Sequence, residues 1–150
     1  TVKAGSKTSP VVTKNFPFAS VLGLSSYPYL GGFTDPEQIP LDYYTRVRGS
    51  RSLPLMVVEG GWPSASVRGM FSSSPETQAR YIARQSKLLD AANAVAAFQL
   101  SFTDLDLGSF PKPVPAILPL FATLGLVDVR LRPKVALSTW DKIFARRVQR

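Results

Sequence analysis

Three segments of the chain carry the hydrophobic pattern of β-strands. The segments 19–29 (ASVLGLSSYPY) and 53–61 (LPLMVVEGG) are short, nearly continuous apolar runs, which is typical of buried parallel strands. The segment 95–106 (VAAFQLSFTDLD) alternates apolar and polar residues, which predicts a strand with one apolar face. The predicted apolar face of this third strand consists of Phe98, Leu100 and Phe102.

Segments whose apolar residues have helical spacing lie between and after these strands. The clearest predicted helix begins at Ser74, whose hydroxyl can cap the first turn. Two further residues indicate the same start, because Pro75 suits the first helical position and Glu76 favours the positive end of the helix dipole. Its predicted buried face consists of Tyr81, Ile82, Gln85, Leu88, Leu89 and Ala92. Further helices are predicted at 41–49, at 116–126 and at 132–148, the last with a core of Val135, Leu137, Trp140, Ile143, Phe144 and Val148.

The alternation of strands and helices predicts an α/β fold of parallel βα units. In such folds the functional residues lie on the loops that follow the carboxyl ends of the strands. Conspicuous polar and aromatic side chains occupy these positions, namely Tyr27, Tyr29, Glu59, Trp62, Asp104 and Asp106.

The composition narrows the possible chemistry. The chain has 150 residues, which fits one domain over 18–150 after an arm or loop over 1–17. It contains no cysteine and no histidine, so disulfides, the usual zinc sites and a Ser-His-Asp triad within it are excluded. No apolar run approaches the roughly 18 residues of a membrane span. We predict no membrane association, and any acid–base chemistry has to use Asp, Glu, Tyr, Lys or Arg.

The net charge of +8 is concentrated toward the two ends of the chain. Such charge indicates either a site for a polyanion or solvated surface. Aromatic residues are not interleaved with these cations and no nucleic-acid motif accompanies them. We therefore predict no nucleic-acid partner, although a basic αβ module that binds polyanions stays an alternative. The basic residues are Lys3, Lys7 and Lys14 in the first segment and Arg130, Arg132, Lys134, Lys142, Arg146, Arg147 and Arg150 in the last.

Three segments resemble a known family in their order and spacing. The segments 21–33 (VLGLSSYPYLGGF), 53–64 (LPLMVVEGGWPS) and 125–141 (GLVDVRLRPKVALSTWD) are similar to the last three βα units of the clan A retaining glycoside hydrolases. In amino-acid sequence these segments look nearest to the arabinogalactan endo-β-1,4-galactanases. The resemblance implies that the chain forms the C-terminal part of a TIM (β/α)8 barrel.

The resemblance also implies roles for the residues at the strand ends. Glu59 would be the catalytic nucleophile, and Tyr27 would hydrogen-bond its carboxylate. From residue chemistry alone, Glu59 can equally be a carboxylate paired with Arg46 or Arg68. Trp62 can instead pack its own loop, and Asp104 can cap the following segment. The predicted substrate-binding residues are Trp62, Tyr29, Phe102 and Asp104.

A retaining glycosidase needs a second carboxylate, and the sequence does not supply it in the family's form. The family's acid/base residue belongs to an Asn-Glu pair, which this chain lacks, and its other glutamates are Glu37 in a loop and Glu76 at a helix start. A full barrel takes about 250 residues. We therefore expect a fragment of a secreted or periplasmic retaining β-glycosidase whose partner is the N-terminal part of the barrel.

The expected substrate is an oligo- or polysaccharide of galactan or cellulose type, and the expected chemistry needs no metal or organic cofactor. A non-catalytic carbohydrate-binding or degenerate barrel is the main alternative.

Overall fold

A computed structural model describes residues 2–3, 17–47, 53–67 and 69–146. The chain divides into two compact units, each described here by itself. Nearly all of the predicted arm at 1–17 lies outside the described residues. The first unit comprises Thr1–Gly60 and Arg84–Gln99, and the second comprises Gly61–Ala83 and Leu100–Arg150.

The first unit contains a parallel four-stranded sheet. The two strands predicted at 19–29 and 53–61 are confirmed, and they pair at the centre of the sheet. On one face Leu22, Leu24 and Val57 are buried. The fold is therefore α/β with a parallel sheet, as the apolar runs predict. In sheet order the strands are β1 (Val2–Lys3), β2 (Leu22–Ser26), β3 (Leu55–Gly60) and β4 (Ala94–Ala97).

The prediction of a strand over 95–106 is wrong for most of its length. Pairing with β3 extends only over Ala94–Ala97, and the next backbone amide, at Phe98, bonds to the Val57 carbonyl. Farther along, the Phe102 carbonyl accepts from the amides of Leu126 and Val127, so this backbone has other partners. The predicted apolar face is exposed, with Phe98 57% and Phe102 60% accessible.

The clearest helix, α1 (Pro75–Ala91), begins where the sequence predicts. The Ser74 hydroxyl accepts a hydrogen bond from the Thr77 amide at 3.2 Å, which satisfies one of the free donors of the first turn. Most of the predicted inward face is confirmed. Its buried members are Tyr81, Ile82, Gln85, Leu88 and Ala92.

Two other predicted helices are wrong as α-helices. The segment 41–49 forms turns and a 3₁₀ helix, Thr45–Val47, and its Gly49 lies outside the described residues. The spacing of Tyr43, Tyr44 and Val47 does mark burial. The segment 116–126 forms a 3₁₀ turn at Leu118–Leu120, where Pro119 lacks the amide that a longer helix needs. The remaining 3₁₀ helices are Pro28–Gly31, Pro36–Gln38 and Leu107–Ser109.

The last helix is present as α2 (Val135–Phe144), but its predicted core is wrong in part. Ala136 is buried, whereas Val135 and Phe144 are about half exposed, at 51% and 47%. Trp140 stacks on Phe144 with ring centroids 4.1 Å apart, and Val148 lies outside the described residues. The apolar stripe of α2 is therefore only partly covered. Among the described residues, no helix is long and apolar enough to cross a bilayer.

Candidate active site

A β-bulge sets the direction of Glu59. On β2 and β3 the paired positions run from Leu24 with Val57 directly to Ser25 with Glu59, so Val58 is an extra residue. Strict alternation would put Glu59 on the buried face with Val57. The extra residue re-aims it to the more open face, which is a recurrent use of bulges near active sites. The sequence contains no visible signal of this bulge.

Two hydroxyl groups of one chain segment meet the Glu59 carboxylate. The Ser25 hydroxyl donates to Glu59 Oε1 at 2.7 Å, and the Tyr27 hydroxyl also hydrogen-bonds this side chain. Ser25 lies opposite Glu59 in the register, and Tyr27 follows the strand. Burial, then the charge of Glu59 and the hydrogen bond to it, raise the pKa of Tyr27 well above the ordinary tyrosine value. Tyr27 therefore stays a neutral donor to Glu59 at physiological pH.

Aromatic packing holds Tyr27 in place. Tyr29 is 5% exposed and meets the Tyr27 ring edge to face, with centroids 6.2 Å apart. Between them Pro28 starts the 3₁₀ helix that follows β2. Burial, and next the proximity of Tyr27, raise the pKa of Tyr29. Because so little of Tyr29 is exposed, its contacts support a packing role beneath Tyr27, and substrate binding by it stays a prediction.

The opposite face of the same strand ends is closed tightly. The Ser26 and Tyr44 hydroxyls share a buried hydrogen bond of 2.9 Å, which anchors the segment before β3 under β2. Gly60 pairs with Ser26, and a Cβ built on Gly60 would lie 2.6 Å from the Ser26 carbonyl oxygen. Glycine is therefore required after Glu59 for this close approach of the two backbones.

Trp62 belongs to the second unit and is buried there. Its ring is 1% exposed, it lies 5.4 Å from the Tyr81 ring, and its indole N–H donates to the Ser73 hydroxyl at 3.1 Å. These contacts support the alternative that Trp62 packs its loop. A ring with so little accessible surface has no free face for a sugar, so the predicted stacking role draws no support from this geometry.

Asp104 takes part in a buried polar network of the second unit. Its Oδ1 accepts from Lys134 Nζ at 2.5 Å and from the Gly125 amide at 3.0 Å. Lys134 also donates to the Ser64 hydroxyl at 2.8 Å, while the Gln78 amide nitrogen donates to the Leu124 and Gly125 carbonyls. These contacts favour the structural alternative for Asp104. Sugar binding by Asp104, and by the exposed Phe102, stays a prediction.

The predicted arginine partners of Glu59 do not account for its contacts. Arg46 pairs with Asp42 at 2.7 Å instead, and Arg68 lies outside the described residues. The basic C-terminal segment is also partly neutralised, because Arg132 pairs with Asp128 at 2.6 Å and Lys134 with Asp104. These ion pairs reduce the free positive charge on which a polyanion site would depend.

The other glutamates have different tasks. The Glu37 Oε2 atom lies 3.7 Å from Arg84 Nη1, and the Arg84 guanidinium also donates to the Ile39 carbonyl. Glu76 lies in the first turn of α1, where hydrogen bonds from its own backbone amide and from Ser74 lower its pKa. Within the described residues, no group of three or more acidic side chains could hold a metal ion. Asp106, the remaining acidic residue predicted at a strand end, caps the Leu107–Ser109 turn through the Gly108 amide at 2.9 Å.

The geometry at Glu59 suits chemistry that needs an oriented anion. Hydrogen bonds from hydroxyl groups favour the ionised form of a carboxylate. Held at a strand end on the open face of a parallel sheet, such a group can act as a nucleophile, as a general base or as an acceptor for a ligand hydroxyl. The candidate site is therefore an oriented carboxylate, Glu59, at the C-terminal end of a strand in a parallel sheet.

Comparison with solved structures finds a similar fold in parts of known carbohydrate-active enzymes. The chain superposes on β-glucuronidases from an uncultured Clostridium species (TM-score 0.64, 17% identity) and from Faecalibacterium prausnitzii (TM-score 0.64, 18% identity). The Clostridium match includes 86% of this chain but only 23% of the enzyme, and the Faecalibacterium match includes 95% of this chain but only 24% of the enzyme. A Rhizomucor miehei β-1,3-glucanosyltransferase matches with a TM-score of 0.56 at 19% identity, over 84% of this chain and 44% of that enzyme.

These similarities concern the fold. Neither a family model nor a curated protein matches the sequence. The chain spans about a quarter of the β-glucuronidases that it resembles. It therefore shares its fold with a segment of known glycoside hydrolases, whereas the particular likeness to galactanases stays a prediction.

Proposed function

We propose that this chain is the C-terminal part of a TIM (β/α)8-barrel retaining β-glycosidase and that Glu59 is its nucleophile. The observation that carries the proposal is the bulged end of β3, where the Glu59 carboxylate is oriented by two hydroxyl groups. The fold shared with β-glucuronidases supports it. The substrate class that we propose is an oligo- or polysaccharide, and the proposed location is secreted or periplasmic.

The proposed reaction has two steps. Glu59 attacks the anomeric carbon, the glycosidic C–O bond breaks, and the leaving oxygen takes a proton from a second carboxyl group. Water then attacks the same carbon, loses its proton to that second group, and releases Glu59 from the ester. The second carboxyl lies about 5–5.5 Å from the nucleophile in retaining enzymes. Because Glu37 and Glu76 have other contacts, we propose that the remaining part of the barrel supplies it.

Exposed apolar side chains support the proposal of a missing barrel partner. Val58 and Val95 are 37% and 62% exposed on strands that a closed barrel would cover, and Val135 and Phe144 of α2 are half exposed. The rest of the barrel would bury them. In that case the isolated chain hydrolyses no unactivated glycoside, because general acid catalysis is worth typically 10²–10⁴-fold.

Covalent labelling tests the nucleophile directly. The test uses protein expressed with the coding sequence on both sides of this segment, so that any further barrel units are present. A mechanism-based 2-fluoroglycoside should attach to Glu59, as read by peptide mass spectrometry. Glu59→Gln should lose both labelling and turnover, whereas the matched control Glu76→Gln should keep both. A label on another residue, or full activity of Glu59→Gln, would refute the assignment.

One observation favours a second candidate, a non-catalytic carbohydrate-binding barrel. In the described residues, the two other glutamates have contacts of their own, Glu37 with Arg84 and Glu76 at the start of α1. For this candidate, Glu59→Gln would change sugar affinity while no form of the protein would turn over substrate. The labelling experiment therefore separates the two candidates.

A further inference from the structure

We propose that Ser25 is a positioning residue for Glu59 and that its hydroxyl is as much a part of the site as that of Tyr27. This inference deepens the proposed function and rests on it. The hydrogen bond from Ser25 Oγ to Glu59 Oε1 is 2.7 Å long and joins two neighbouring strands. Both side chains are partly exposed, so the bond lies at the boundary between the sheet and the open side.

The register explains why this serine is available and its neighbour is not. Ser25 is the direct partner of Glu59 across the bulge, whereas Ser26 points to the other face and bonds Tyr44. Ser25 and Tyr27, on either side of Ser26 in the chain, both hydrogen-bond Glu59, whereas Ser26 bonds Tyr44 on the other face. The sequence motif Ser25-Ser26-Tyr27 thus divides its hydroxyls between one catalytic face and one structural face.

The consequence is a carboxylate with a fixed orientation. The bond from Ser25 occupies Oε1 and restrains the side-chain torsions, which directs the remaining lone pairs of the carboxylate away from β2. Hydrogen bonds to the charged form also favour ionisation. The Ser25 hydroxyl carries no charge, and Tyr27, the other donor to Glu59, is also neutral. Ser25 therefore acts without adding a charge of its own.

Nuclear magnetic resonance can follow Glu59 in this chain without any activity. The chain has only three glutamates, so a sample labelled with ¹³C-glutamate gives three side-chain carboxyl signals, and Glu59→Gln identifies the one from Glu59. In Ser25→Ala that signal should shift, because one of the hydroxyl donors that hold the carboxylate is lost. Ser25→Thr keeps the hydroxyl and should restore the parent behaviour. The matched control Ser26→Ala should leave the Glu59 signal in place.

Kinetics on protein expressed with its flanking sequence give the second measurement. Ser25→Ala should slow fluoroglycoside labelling of Glu59 by roughly tenfold and lower kcat more than it raises KM, because the lost bond orients the attacking group. If Ser25→Ala is poorly folded, Ser25→Cys serves instead, since a thiol has nearly the same shape and is a weak donor. An unchanged Glu59 signal and unchanged labelling in folded Ser25→Ala or Ser25→Cys would overturn the positioning role.

The two proposals fail in different ways. If the label attaches elsewhere while Ser25→Ala still shifts the Glu59 signal, the nucleophile assignment fails. Ser25 then only orients a ligand-binding carboxylate, which also overturns its catalytic positioning role. If the label attaches to Glu59 at the same rate with and without the Ser25 hydroxyl, the proposed function stands and the positioning role is refuted.

Discussion

Gly60→Ala should destabilise the first unit and disturb Glu59 together. The added Cβ would lie 2.6 Å from the Ser26 carbonyl oxygen and 3.2 Å from the Ser26 Cβ, so β2 and β3 would have to separate. Overpacking of this kind costs typically about 1–3 kcal/mol. Replacing glycine by alanine also lowers the entropy of the unfolded chain, which returns about 0.4–1 kcal/mol. The expected net loss is therefore about 1–2 kcal/mol.

Urea denaturation followed by circular dichroism measures this loss. With a slope of about 1–3 kcal/mol per molar urea for small proteins, the midpoint should fall by roughly 0.3–2 M. The control is Gly31→Ala, because a Cβ at Gly31 meets nothing within 4 Å and should cost little or be stabilising. The Ser25–Glu59 hydrogen bond should weaken in Gly60→Ala alone, which the ¹³C signal of Glu59 reports. An unchanged urea midpoint for Gly60→Ala would refute the close approach of the two strands.

Three further changes test the surrounding structure. In protein expressed with its flanking sequence, Tyr27→Phe should lower kcat by roughly ten- to a hundredfold, as expected for the loss of one hydrogen bond to a charged group. The melting temperature should change little. A large fall in melting temperature with unchanged kcat would contradict this role. Burial, and next a neighbouring tyrosine, raise the pKa of Tyr29 and Tyr43 above the ordinary tyrosine value of about 10. The contribution of these two groups to stability is therefore complete below about pH 10 and is lost as the pH rises above it, with a slope of up to about 1.4 kcal/mol per pH unit for each tyrosine. Urea midpoints and absorbance at 295 nm between about pH 8 and 11.5 check this, and a flat midpoint would contradict it. Lys134→Met should destabilise the second unit by about 3–5 kcal/mol, because the largely buried Asp104 carboxylate loses its counter-charge and keeps only the Gly125 amide as a donor. Adding Asp104→Leu should recover part of the loss in the same urea assay, and equal stability of Lys134→Met and the parent would contradict the ion pair.

The sequence predicted the central strands and the main helix well because their signals are local. The apolar run that contains Leu55–Gly60 is bounded by Pro54 and Gly61, and α1 begins with Ser74 and Pro75. Neither signal depends on a distant partner. The candidate nucleophile was visible for the same reason, since a carboxylate at the end of an apolar run is conspicuous without any tertiary information.

The failures share a dependence on partners that are distant in the chain. The alternation of Phe98, Leu100 and Phe102 has the period of a strand, but the Phe102 carbonyl bonds to amides more than twenty residues later, as the pairing with Leu126 shows. The burial of Trp62 depends on Tyr81 and Ser73. Periodicity indicates which side chains are apolar, and it does not indicate which surface covers them.

The bulge shows why the site itself could be predicted only in part. The position of Glu59 can be read from the sequence, but its direction depends on a register change at Val58 that involves the backbone of β2. Once that change is made, Ser25 becomes the direct partner of Glu59, and Gly60 has to pass close to Ser26 for the pairing to resume. The orientation of the carboxylate and the packing of the strand ends are therefore one structural problem. For this reason we expect Gly60→Ala to affect both stability and the Glu59 signal, whereas Ser25→Ala should affect the signal with little change in stability.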